Sequence, residues 1–90
     1  MPTCRRVDCF SVFSAADPSA LPRILEVFTL NGLIPESCHA IRDGGDQLVI
    51  DLQLADLPQG RAEQLARRLQ RVVTVTQVLW SEKRQVAAAA

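Results

Sequence analysis

Three cysteines and a single histidine are the residues of this sequence with the widest chemical reach, and their spacing limits what they could do. Capture of a soft metal ion takes two thiolates held close together, as a Cys-x-x-Cys loop holds them. Cys4 and Cys9 are separated by four residues, and no Cys-x-x-Cys occurs. Cys38 and His39 are neighbours, so on an extended strand their side chains point to opposite faces and cannot grip one ion. An odd number of irregularly spaced cysteines gives no disulfide framework and fits a reducing compartment. The expectation is no metal and no cofactor. Cys9 and Cys38 are also the available thiol nucleophiles, but neither has a base within reach by sequence, and His39 belongs to no Ser/His/Asp or Cys/His arrangement. No catalytic residue is assigned, and the chain is not expected to be an enzyme.

Charge and length narrow the field further. Ten basic residues balance ten acidic ones, so no net field would hold nucleic acid or an anionic membrane. No apolar run approaches the ~20 residues of a bilayer span. The opening MPTCRRVDCF has no uninterrupted apolar segment of the kind a secretory signal requires. These features predict a cytoplasmic protein without nucleic-acid or membrane partners. Ninety residues, 48% of them apolar, suit one small domain with one core.

The elements that must position these residues can be read in order. Val7 to Ser14 is rich in β-formers, with Phe10 and Val12 on one face and Cys9 and Phe13 on the other, as a central strand with two apolar faces would have. Between Asp17 and Ile34, the residues Leu21, Ile24, Leu25 and Phe28 follow the i, i+3, i+4, i+7 spacing of an amphipathic helix. Ser19 is the favoured N-cap, because it leaves Pro22 in the first turn, and Asn31-Gly32 supplies the stop. Pro35 to Arg42 reads as an edge strand, since its opening proline cannot donate to a central ladder. Asp43-Gly44-Gly45-Asp46 is a hairpin signal. Gln47 to Leu54 alternates Leu48, Ile50, Leu52 and Leu54 against Val49, Asp51 and Gln53. A second helix, Arg61 to Arg71, gathers Ala62, Leu65, Ala66 and Leu69 on one face, and Val72 to Trp80 is the last strand. Residues 1–5 and 83–90 are expected to be flexible ends of a domain spanning 6–82.

Strand, helix, strand, strand, helix, strand, with right-handed crossovers, gives an α+β ferredoxin-like βαββαβ two-layer sandwich: a four-stranded antiparallel sheet with two helices on one face. The first and third strands are central, and the uncovered face would receive apolar groups from Phe10 or Val12 together with Val49. Exposed apolar surface of that kind marks association. An RNA-binding version would need aromatic residues there, but Asp51 faces outward and would repel phosphate. An acyl-phosphate hydrolase would want an arginine in an anion-cradling loop after the first strand, whereas SAADPSA is neither basic nor glycine-rich.

The run VFSAADPSALPRILEVFTLNGLIPES resembles the ACT-domain pattern, with Pro18, Leu21, Phe28, Gly32 and Glu36-Ser37 in order and spacing, and LARRLQRVVTVTQVLW is similar to the family's second helix and last strand. Within that family the likeness, through single-domain size and LQRVVTVTQV, is to the short regulatory subunits of acetolactate synthase. Those bind and activate a separate thiamine-diphosphate-dependent catalytic subunit in branched-chain amino acid synthesis. The resemblance implies a non-catalytic regulatory protein, dimeric through the edge strand at Pro35, with a large catalytic subunit as partner. The alternative it implies is a stand-alone module binding an amino-acid effector at a dimer interface. The corresponding effector residues are Ser19, Asn31, Gly32, Leu33 and Ile34. Two departures point to a degenerate pocket: Ser19 stands where many members have glycine, and Ile34 replaces a polar residue. As purely structural residues, Ser19 is a helix cap and Ile34 is core.

Overall fold

The alternation of the third strand decides the layering of the whole molecule. The computed structural model describes residues 4–86, in six elements: β1 (Cys4–Ala15), α1 (Ala20–Leu30), β2 (Ser37–Asp43), β3 (Gln47–Ala55), α2 (Arg61–Gln70) and β4 (Val75–Val86). The strands form one antiparallel sheet in the order β2-β3-β1-β4, so β1 and β3 are central as expected. Register aligns Phe10 with Leu52 and Val12 with Ile50. Since paired residues share a face, the cleanly patterned β3 dictates which side of the ambiguous β1 turns inward.

Phe10 and Val12 are therefore buried in the core beneath the helices, not on the uncovered face where the sequence allowed them. Cys9, Ser11 and Phe13 take the open side, half-buried. Val49 does stand there, opposite Phe13 on one side and Ile41 on the other. Ile24, Phe28, Leu65 and Leu69 close the core from the helix layer. Leu21 and Leu25 pack at its rim, only partly buried.

Both ends of α1 show how local signals act. At its C-terminus Leu33 N donates to Phe28 O at 2.9 Å and Gly32 N to Thr29 O at 3.0 Å, with Gly32 at φ +69°, the paired bonds of a Schellman motif. At its N-terminus Ser19 is the cap position, but its side chain makes no capping bond. The Asp17 carboxylate instead accepts from Ser19 N at 2.8 Å and Ser19 Oγ at 2.6 Å, while Ala20 N donates to Asp17 O. The hydroxyl is spent on a tighter, charged acceptor.

Strand ends differ from expectation where charge obscured them. β2 begins at Ser37 and not at Pro35, and β4 begins at Val75 because Val72 to Thr74 make the turn out of α2. β4 then runs to Val86, pairing with β1 back to Cys4. The paired ribbon thus passes the limits 6–82, taking in Cys4 and Arg5 at one end and residues 83–86 at the other. Backbone pairing satisfies the N–H and C=O groups of these charged residues, and composition alone does not register it. The remainder of the ends expected to be flexible, residues 1–3 and 87–90, lies outside the described residues. Among the described residues no helix is long and apolar enough to cross a membrane.

Candidate functional site

The five residues assigned to an effector pocket occupy the two ends of α1. An eleven-residue helix separates Ser19 from Asn31, about 18 Å at 1.5 Å per residue, so one chain does not bring them together. Asn31 is engaged through its amide and its carbonyl. Its Nδ2 donates to Val27 O at 2.6 Å, its Oδ1 accepts from Arg68 Nη1 at 2.6 Å, and its carbonyl accepts from Arg61 Nη2 at 3.3 Å. These bonds tie the end of α1 to α2. Leu33 is partly buried against the core, whereas Ile34 is 90% exposed and so is not core. Together with Leu30, 76% exposed, it makes an apolar knob at this end of the helix layer.

At the other end, the hydrogen bonds from the Ser19 hydroxyl and then its backbone N–H hold the Asp17 carboxyl below the ordinary 3.8, with Arg23 adding a smaller pull in the same direction and slight desolvation opposing them. A carboxylate with a lowered folded-state pKa stabilises the fold above 3.8, and that contribution fades as pH falls from 3.8 through the folded value. In Ser19→Ala the Asp17 titration, followed by NMR of its carboxyl carbon, is expected to rise toward 3.8. An unchanged titration would show that the hydroxyl contributes nothing.

A second constellation escaped the sequence reading. Asp8, fully buried on the helix side of β1, accepts from Trp80 Nε1 at 3.0 Å, and its Oδ2 lies 3.5 Å from Arg6 Nε. Arg6 also donates from Nη2 to Leu57 O. Arg6, Asp8, Gly60, Trp80 and Glu82 line a cleft of about 380 Å³ at the start of α2. The available signal was a carboxylate in phase with Phe10 and Val12, a charge on the core-facing period of a strand. Asp8 Oδ2 and Arg6 Nε are shut off from solvent without a hydrogen-bond partner, while Asp8 Oδ1 holds Trp80.

On the open face, Ser11, Asp51 and His39 fall in one row across β1, β3 and β2. The order matters. A nucleophilic serine needs the imidazole as its base, but Ser11 Oγ donates to Asp51 Oδ1 at 2.8 Å, and the carboxylate stands between serine and histidine. Among the described residues, no three His, Cys, Asp or Glu side chains gather where a metal could be held. What this face does offer is an apolar strip of Phe13, Val49, Ile41 and Leu79, the last two about half exposed at 51% and 50%.

The geometry is thus a sheet covered on one face, an apolar open face and exposed apolar groups at the end of α1, and among the described residues no catalytic group is assembled. The sequence model of the ACT-like domain family matches residues 4–87. The chain belongs to that family. Solved structures carry the same arrangement. The ACT domain from GTP pyrophosphokinase of Chlorobium tepidum superposes with a TM-score of 0.70 at 10% identity, over 90% of this chain and 100% of that one. The C-terminal domain of the MgtC protein from Mycobacterium tuberculosis gives 0.69 at 15% identity, over 94% and 95% of the two chains. At such identities the likeness is one of fold. No curated protein matches the ACT-like chain in sequence.

Proposed function

We propose that this ACT-like domain is a regulatory module that works by docking on another polypeptide, and that its partner is an acetolactate synthase-type catalytic subunit in branched-chain amino acid synthesis. The observation that carries the regulatory reading is the family match over residues 4–87, on a chain whose open sheet face and α1 terminus present apolar groups. The choice of partner rests on the similarity of LQRVVTVTQV, from Leu69 to Val78, to the short subunits of that enzyme. Adding the purified domain to a catalytic subunit stripped of its own regulator is expected to raise acetolactate formation, with co-elution of the two chains. Neither co-elution nor activation would retire this partner.

The alternative is an amino-acid sensor. Two copies packed antiparallel along α1 would set Ser19 of one chain beside Gly32, Leu33 and Ile34 of the other, and the exposure of Leu30 and Ile34 favours such a contact. One of the two Asn31 Nδ2 donors is already given to Val27 O, and its Oδ1 already accepts from Arg68. A bound effector at 100 times its dissociation constant would stabilise the protein by about 2.7 kcal/mol in a thermal shift panel of amino acids.

A further inference from the structure

A balanced net charge conceals where the charge lies. The whole chain carries ten basic and ten acidic residues, yet the helix layer holds Arg23, Arg61, Arg67, Arg68 and Arg71 against only Glu26 and Glu63. The rest of the chain is therefore net acidic. Among the described residues the ion pairs join Arg5 with Glu36, Arg6 with Asp8 and Arg67 with Glu63, so Arg23, Arg68, Arg71 and Glu26 belong to none. Arg68 gives a bond to the neutral Asn31 amide, and Arg23 and Arg71 are exposed.

Three of these arginines meet at one place. Arg23, Arg68 and Arg71 rim a groove of about 230 Å³ between α1 and the end of α2. Val27 and Val72 form its floor, half-buried against the core, and Val73 stands beside them 90% exposed. The needs of the fold account for only part of this. Arg68 and Arg71 complement the C-terminal end of the α2 dipole, but Arg23 lies in the first turn of α1, where a cation opposes the dipole and no acidic residue is present to offset it. Its pull on the Asp17 carboxyl is the smallest of the influences there. Val73, for its part, leaves a β-branched apolar side chain in water on a turn that does not require one.

We propose that this groove receives an acidic segment of another polypeptide, whose carboxylates meet Arg23, Arg68 and Arg71 while an apolar side chain settles on the three valines. Charge and size select the occupant. Glu26 is the one acid among the lining residues, so the groove is net positive, and guanidinium forks grip carboxylates two-pronged. A space below the roughly 300 Å³ at which small-molecule sites begin suits one or two side chains of a segment that continues beyond it, not a whole effector. The valines exclude a bare anion as the best fit, because it would leave them uncovered. Separation of charge also steers the approach, since the acidic remainder of the chain repels the same segment. The inference rests on the docking role proposed above, and not on the choice of catalytic subunit.

The test uses the full chain and a short synthetic peptide, blocked at both ends, in which glutamates surround two leucines one helical turn apart. Bearing an uncharged fluorophore, the peptide is expected to bind in anisotropy titrations and to bind about tenfold more weakly when salt is raised from about 0.02 M to about 0.2 M. A peptide with lysine in place of glutamate is expected not to bind. Arg23→Glu combined with Arg71→Glu should weaken the acidic peptide about tenfold or more, whereas Lys83→Glu with Arg84→Glu, an equal change of net charge near the far end of β4, should alter it less than about twofold. Val73→Ser should weaken it about fivefold through the lost apolar contact. All five positions are exposed, so an unchanged unfolding midpoint is expected in each variant. No binding of the acidic peptide, or equal losses in the two double variants, would overturn the groove. Peptide binding by a chain that fails to activate acetolactate formation supports the groove and retires only that enzyme as partner.

Discussion

Phe28→Ala is expected to lower the unfolding free energy by about 4 kcal/mol, within the 3–5 kcal/mol typical of emptying an aromatic core site. Phe28 is 1% exposed, and its ring meets Phe10 edge-on with centroids 6.1 Å apart and planes at 68°. Phe10 lies on the central strand, so this contact joins the helix layer to the sheet. The Phe28 carbonyl also accepts from Asn31 N and Leu33 N, and the residue thus anchors the stop of α1 as well as its inner face. A domain of this size commonly holds about 5–15 kcal/mol in reserve, so the loss takes a large share of it. Urea unfolding should show a lower midpoint at an unchanged slope. A change below about 1 kcal/mol would mean that α1 does not lie on the sheet.

Asp8→Ala is expected to cost about 3 kcal/mol, the lower end of the range for breaking a buried ion pair, because the Arg6 side chain keeps 26% exposure and can recruit some water. The substitution leaves Arg6 without its carboxylate partner and the Trp80 indole without its acceptor. Replacing both members, Arg6→Met with Asp8→Leu, should recover much of the loss, since the cost lies in the unpaired charge. Trp80 is the single tryptophan of the chain, so its fluorescence reports both the unfolding transition and the release of the indole. Equal losses in Asp8→Ala and in the double variant would contradict the pairing.

Legibility in the sequence followed the distance over which each signal acts. The β3 alternation, the apolar face of α2, the Gly32 stop and the glycine hairpin were readable because periodicity and backbone freedom are properties of a few neighbouring residues. The inward face of β1 was not readable, as both of its faces are apolar and only pairing with β3 chooses between them. Nor was the reach of β4, because Lys83 and Arg84 look like a solvated tail until β1 satisfies their backbone. The effector residues were legible as a family pattern, but their separation along α1 is a matter of helix length and of how copies meet.

By itself, then, the sequence of this ACT-like chain determined the order of six elements, the two-layer sandwich and the central place of β1 and β3, because hydrophobic period and turn chemistry are local and leave few topologies open. Only the tertiary structure decided that the Trp80 indole donates a hydrogen bond to Asp8, 72 positions away, that Ile34 stands in solvent, and that β4 keeps the longer uncharged edge. Those outcomes depend on which surfaces are covered after the strands pair, and coverage is a property of the assembled sheet.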